Sequence, residues 1–319
     1  MAGPPALLLL FLTFSLFTFL TESQLAYDYY AKSCPRFEEI IQETVTNKQI
    51  TSPTTAAGTL RVFFHDCMLN GCDASVLLSS TAFNSAERDA DINLSLPGDA
   101  FDLVTRAKAA LELACPNTVS CSDILALATR DLVSMVGGPY YKVLLGRTDY
   151  RISKSSNVEG NLPRPTMDFS KIIQIFTSRG FTLQEMVALS GAHTIGFSHC
   201  KEFKSFLYND THYNQRFAQA LQHACENYPK DQTLSVFNDI MTPNVFDNKY
   251  FQNLPKGLGL LESDHNLYDD PRTRPFVEMY ANDQNKFFQD FAKAMEKLSV
   301  YGIKTGRRGE IRRRCDAVN

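Results

Sequence analysis

An all-α fold of two closely packed helical lobes is predicted by three features of this 319-residue chain. Its apolar residues recur mainly at three- and four-residue steps. Strand-like alternation is scarce, with the short run Lys142-Val143-Leu144-Leu145 the best candidate. No internal repeat or low-complexity linker divides the chain, and its length allows a large core, as one big domain or as two lobes. The net charge of −3 gives no basic excess of the kind nucleic-acid binding requires.

The elements follow in chain order. Ala6 to Leu20 is an apolar run broken only by Thr13, Ser15 and Thr18, and Thr21-Glu22-Ser23 puts small residues at −3 and −1 before Gln24. Residues 1–23 therefore read as a signal peptide, although Lys and Arg are missing from its start, with residues 24–319 as the mature domain. An uncleaved anchor is the alternative, but the run is short and polar-interrupted for a span of about 20 residues. After Cys34-Pro35 an amphipathic helix starts with Ile40, Ile41 and Val45, and a second runs through Ile124, Leu125, Leu127, Ala128, Leu132 and Val133. Phe287, Phe288, Phe291, Met295 and Leu298 form the stripe of a late core helix. Leu96-Pro97-Gly98, Gly137-Gly138-Pro139 and Leu162-Pro163-Arg164-Pro165 mark loops.

Eight cysteines behind a signal favour a fully bridged, oxidised framework. Spacing by itself suggests only Cys67–Cys72, since eight cysteines allow about 105 pairings. A zinc site is the other possibility, but no compact second Cys or His pair completes it. Sequons occur at Asn93 and Asn209, the second in a surface-like loop. Arg307, Arg308, Arg312, Arg313 and Arg314 cluster near the C-terminus, as a solvated tail or a site for an anionic polysaccharide.

The densest chemistry lies between Arg61 and Ser75. On a helix, Arg61 and His65 sit one turn apart, so a fixed cation and a titratable imidazole point at one spot. An ordinary surface pair is the competing explanation. The flanking Val62, Phe63 and Phe64 argue against it, because a buried charge without a task or partner is costly. Asp66, Asp73 and Ser75 surround a turn permitted by Asn70-Gly71, and such hard oxygen donors suit Ca²⁺.

A second stretch runs from Thr182 to Gly196. Thr182 and Glu185 have capping-box spacing, which starts a helix carrying His193 near its far end. Ser190, Gly191, Ala192 and Gly196 are small neighbours for that histidine. They suit a flat haem ring bound through the imidazole, and equally a core histidine at a close helix crossing. Asp239 to Asn248 is a further loop rich in oxygen donors, able to join Thr194 around a cation. Asp264, in an apolar neighbourhood, is the type of carboxylate that orients a ligating histidine.

Together these residues resemble the class III secretory plant peroxidases, a haem peroxidase family, over nearly all of Gln24 to Cys315. The pair of histidine motifs, Arg61 to Ser75 and Leu189 to Gly196, is highly specific. Cys121-Ser122-Asp123-Ile124-Leu125, Leu145-Gly146-Arg147 with Asp149, Leu162-Pro163 with Pro165, and Thr242-Pro243 with Phe246 to Tyr250 are also similar to the family.

The resemblance implies two helical lobes sandwiching one haem b, with very little β-structure. It makes His193 the axial iron ligand, Asp264 its hydrogen-bond acceptor, His65 the distal base, Arg61 the distal cation and Asn93 the group that orients His65. An Asn93 in that role is buried and its sequon silent. A distal Ca²⁺ is implied at Asp66, Leu69, Gly71, Asp73 and Ser75, with Glu87 through water. A proximal Ca²⁺ is implied at Thr194, Asp239, Thr242, Val245 and Asp247. The implied bridges are Cys34–Cys115, Cys67–Cys72, Cys121–Cys315 and Cys200–Cys225, with a buried Asp123–Arg147 pair beside one of them. Pro163 is implied to meet phenolic substrates.

The implied activity reduces hydrogen peroxide and oxidises phenols in one-electron steps, with roles in lignin or suberin formation, wall cross-linking, peroxide removal and stress. The expected protein is a secreted monomer of the extracellular space or cell wall, because the chain stops too soon after Cys315 for the extension of vacuolar members. Departures from the family pattern are Tyr141 for its usual tryptophan, Met68 for phenylalanine, Phe206 for a frequent arginine, Asn238 for an apolar residue, and a short Cys200–Cys225 loop. They bear on substrate choice and proximal electronics. A non-catalytic wall scaffold and a bis-histidine electron carrier are the competing functions. The first leaves Arg61, His65, Asn93, His193 and Asp264 without a purpose, and the second leaves no open iron position.

Overall fold

The computed structural model describes residues 25–207 and 212–319; the expected signal peptide 1–23 and the Asn209 sequon lie outside them. Among the described residues the α-helices are α1 (Phe37–Thr51), α2 (Thr55–Asn70), α3 (Gly98–Ala114), α4 (Cys121–Met135), α5 (Phe169–Thr177), α6 (Leu183–Ser190), α7 (Gln215–Ala224), α8 (Lys249–Asn253), α9 (Glu262–Asp269), α10 (Arg274–Asn282) and α11 (Gln284–Ser299). No helix among the described residues is long and apolar enough to cross a membrane.

Local chemistry explains several helix starts. Ser120, Asp168 and Asp283 accept from the backbone N–H three residues on, capping α4, α5 and α11. Thr182 and Glu185 form the expected capping box on α6. That helix nevertheless ends at Ser190, and His193 lies on the following 3₁₀ turn, Gly191–Thr194, not on the α-helix itself. The tighter turn re-aims the ring.

The expected strand at 142–145 does not form; only Leu145 makes a bridge, to Ala26. Apolar alternation there serves burial of Val143 and Leu145 in an extended loop. The β-structure is instead a ribbon that the alternation did not flag. Its strands β1 (Phe197–His199) and β2 (Ser235–Phe237) pair antiparallel with Phe197 opposite Phe237.

Helices α1 to α4 pack on one another, with α2 against α4 at the centre, while α11 crosses back to contact both α6 and α2. One continuous apolar core therefore runs from Tyr30 through both lobes to Leu298, and a smaller cluster surrounds the Cys200–Cys225 bridge. The other bridges join Cys34 to Cys115, Cys67 to Cys72 and Cys121 to Cys315. The C-terminal segment is laced to the first half by backbone bonds from Cys72 to Tyr301, Thr148 to Lys304 and Ser79 to Asp316.

Arg312 departs from the exposed cluster expected of it. It is wholly buried and donates to the carbonyls of Cys315 and Ala74, so only its neighbours contribute to a basic surface. Asp123 and Arg147 form an ion pair at 2.7 Å with both side chains fully buried. Asp123 also accepts from Tyr30 Oη and the Gly146 N–H, so its lone pairs are occupied. Asp123→Ala strands the guanidinium in the core and is expected to cost about 3–5 kcal/mol in urea unfolding; an unchanged midpoint would contradict that role for the pair.

Candidate active site

The face of α2 is set by which residues its neighbours leave uncovered. From Thr55 to Leu69 every residue is buried except Ala57, Arg61 and Phe64. These stand at steps of four and three, so they form one stripe along the helix. Opposite, in the otherwise buried segment from Met186 to Gly196, the incompletely covered residues are Ser190, Ala192 and His193. The two stripes belong to one gap, because a Cβ on Gly196 would meet Ala57 at 2.9 Å. A narrow space between an α-helix and a histidine-bearing turn fits a flat ring.

Two of the small residues near His193 have a different explanation. Gly191 is small because Phe287 and Phe251 occupy the space of a side chain, and Gly196 because it abuts Ala57 at φ +86°. Close packing within the protein sets these two positions.

His65 is buried, and its Nδ1 lies 2.6 Å from Asn93 Oδ1. The Asn93 amide nitrogen donates to the Glu87 carbonyl at 2.7 Å, so its oxygen must be the atom facing His65. Nδ1 therefore carries the proton, and Nε2 keeps its lone pair. Asn93 is itself buried, with its amide nitrogen engaged. Arg61 Nε donates to His65 Nε2 at 3.3 Å. Its other nitrogens reach the Ser95 carbonyl, Ser95 Oγ and the Ile92 carbonyl. Burial first, and then the charge of Arg61, push the His65 pKa down to about 3.

His193 is held in a parallel way. Its Nδ1 lies 2.8 Å from Asp264 Oδ1, and Tyr250 Oη donates to the same oxygen at 2.8 Å. The Leu261 N–H bonds Oδ2 at 2.9 Å. Burial acts to raise the Asp264 carboxyl, yet the adjacent His193 and these donors hold it below its ordinary value. An ionised Asp264 accepts the Nδ1–H and leaves Nε2 of His193 free. The bond from Tyr250 to Asp264 joins two residues that no sequence motif connects.

The loop after α2 gathers the expected distal oxygens. Gly71 has φ +112°, and any side chain there would strike the Gly302 backbone, which makes the turn glycine-specific. Asp66 accepts from the N–H groups of Asp73, Ala74 and Val76, and Ser75 Oγ donates to Glu87 at 2.8 Å. Arg179 and Lys304 take the Met68 and Asn70 carbonyls, on either side of Leu69. Asp73 Oδ2 and Glu87 Oε1 are buried without a hydrogen-bond partner. Lys304 Nζ lies 3.2 Å from that Asp73 oxygen without bonding geometry, a neighbour the sequence did not suggest. Burial raises the carboxyls of Asp66 and Asp73 and brings Glu87 up to about 8. No group of three or more His, Cys, Asp or Glu side chains among the described residues forms a metal cluster. Asp66, Asp73 and Glu87 do not converge as such a cluster, but the buried oxygens of Asp73 and Glu87 that make no hydrogen bond are hard donors of the kind Ca²⁺ takes.

On the other side, Thr194 Oγ1 lies 3.3 Å from both the Val245 carbonyl and Asp247 Oδ1, and Thr242 donates to Asp239 at 3.1 Å. Asp239 also accepts from Asn253, a partner not anticipated from sequence. Fit here rests on the donor set. Pro163 is half-buried between buried Leu162 and ion-paired Arg164. Met68, Tyr141 and Asn238 are all buried, and the Tyr141 hydroxyl has no partner. Phe206 packs on the Cys200–Cys225 cluster.

The family profile described as peroxidase matches residues 41–283. Over 98% of its length the chain is 69% identical to "Peroxidase 63" of Arabidopsis thaliana, covering 96% of that protein. It is 68% identical to "Peroxidase 31" of the same plant, with 100% of both chains covered. "Peroxidase 65", also from Arabidopsis thaliana, is 60% identical over 92% of this chain and 88% of its own. Two imidazoles, each steered from behind by a buried oxygen, are thus found in a chain that belongs to the peroxidase family, among the class III plant peroxidases and as an enzyme of that activity.

Proposed function

We propose that His193 and Asp264 hold one haem b from the proximal side, and that His65, Arg61 and Asn93 handle peroxide on the distal side. The observation that carries this is the matched pair of Nδ1 contacts, to Asn93 at 2.6 Å and Asp264 at 2.8 Å, which turns each ring's Nε2 lone pair away from its anchor, that of His65 toward Arg61. Haem, when bound, supplies the iron at which peroxide is reduced and the oxidising equivalents that phenols later quench one electron at a time.

The chain's own residues then manage protons and charge. Neutral His65 takes a peroxide proton at Nε2 and returns it to the departing oxygen, serving first as base and then as acid. Arg61 stabilises negative charge developing on that oxygen, prearranged by its bonds to Ile92 and Ser95. Its Nε–H occupies the His65 lone pair at rest, so peroxide must enter between the two side chains. Asp264 holds the His193 ring and raises its donor strength.

Asp66, Leu69, Gly71, Asp73, Ser75 and Glu87 would hold a distal Ca²⁺, and Thr194, Asp239, Thr242, Val245 and Asp247 a proximal one. Phenolic donors would meet the site near Pro163. Secretion to the cell wall as a monomer, an anionic polysaccharide on Arg307, Arg308, Arg313 and Arg314, and roles in wall polymer formation or peroxide removal complete the proposal.

In stopped-flow measurements, Arg61→Leu and His65→Leu are expected to slow the peroxide reaction by about 10²–10⁴-fold while haem stays bound. Either variant reacting at the parent rate would refute the assignment. A His65 pKa near 3 implies that the base is neutral throughout the ordinary range. The peroxide rate should stay flat from neutral pH downward and fall only as pH approaches about 3, since protonation removes the accepting lone pair; a decline centred near the usual histidine value would exclude this environment. Chelation should lower the melting temperature by roughly 5–10 °C, with recovery on adding Ca²⁺. Asp73→Asn should abolish most of that recovery.

A further inference from the structure

The gap has a charged edge that none of the proposed roles uses. Asp91 opens the 3₁₀ turn Asp91–Asn93, whose Ile92 and Asn93 contact Arg61 and His65. Its Oδ2 accepts from Arg164 Nη1 at 3.0 Å, and its Oδ1 lies 3.3 Å from Lys201 Nζ. Arg164 directly follows Pro163, and it is braced by Glu159 at 2.8 Å. Lys201 comes from the segment that leaves His193 through β1, and its neighbour Glu202 lies close enough to act on the charge of Arg61.

An ion bridge from the distal turn to the segment beyond His193 has to cross an edge of the space between them. Asp91 and Lys201 side chains are each 57% exposed and Arg164 26%, so the crossing lies at the solvent edge. We propose that Arg164, Asp91 and Lys201 form a strap over the donor entrance that discriminates phenols by bulk. Small monophenols pass beneath it, whereas larger phenol-ended oligomers must part it. This inference rests on the donor reading of Pro163. Exposed ion pairs are weak and salt-sensitive, so the filter is a graded one that salt relaxes.

The test compares kcat/KM for guaiacol with that for a β-O-4-linked guaiacyl dimer in the haem-loaded enzyme. Lys201→Met and Arg164→Met leave Arg61, His65 and Asn93 in place, and each should raise the dimer-to-guaiacol ratio about two- to fivefold. Wild type in about 0.5 M NaCl should move the same way, while the double variant should respond little to salt. A change in this ratio with an unaltered peroxide rate is what loss of a merely structural contact would not produce. Equal ratios in wild type and both variants, at low and high salt, would overturn the strap. A wild type that reduces peroxide yet oxidises neither phenol would instead sink the donor reading and the strap with it.

Discussion

Everything in this site depends on two hydrogen bonds made behind the reacting atoms. An imidazole can present a lone pair at Nε2 only if Nδ1 keeps the proton, and each ring here has a buried oxygen to hold it there. The two acceptors differ in charge, and the difference suits the two tasks. Burial and the Arg61 charge leave His65, whose Asn93 anchor is neutral, a weak base that releases its proton easily, whereas an anionic Asp264 would make His193 a stronger donor.

Holding those acceptors requires order well beyond the gap. Asn93 is anchored through the Glu87 carbonyl, and Glu87 is tied to Ser75 and thereby to the oxygen-lined loop after α2. Asp73 Oδ2, with Lys304 Nζ 3.2 Å away, and Glu87 Oε1 are buried along this chain of contacts without a hydrogen bond. A cation there would stiffen the segment that orients the distal base. Thr194 directly follows His193, so the second oxygen cluster is attached to the turn that carries this histidine. Each proposed Ca²⁺ position is thus coupled to one imidazole through few contacts.

Buried charge is the recurrent expense of this architecture, and it is offset in pairs. Arg147 meets Asp123, and Arg312 lies near Asp149 while donating to the carbonyls of Cys315 and Ala74. These groups sit where the tail returns to the first half beside the Cys121–Cys315 bridge. Folding of the first half is therefore coupled to the end of the chain.

The sequence by itself determined the helical class, the helix start at Thr182, and the two histidine stretches, since these signals are local: three- and four-residue periodicity, Thr182 with Glu185, Arg61 with His65. The resemblance to a known family extended this to Asn93, to the pairing of Asp264 with His193 and to the bridges other than Cys67–Cys72, which no spacing rule connects. Only the tertiary structure decided where His193 sits once α6 gives way to a 3₁₀ turn, why Gly191 and Gly196 are small, and that Lys142 to Leu145 stays extended without pairing. It also buried Arg312 and brought Lys304 beside Asp73 and Lys201 beside Asp91. The reason is physical: what a charged side chain does depends on which distant segment faces it, and packing settles that where local propensity has no information.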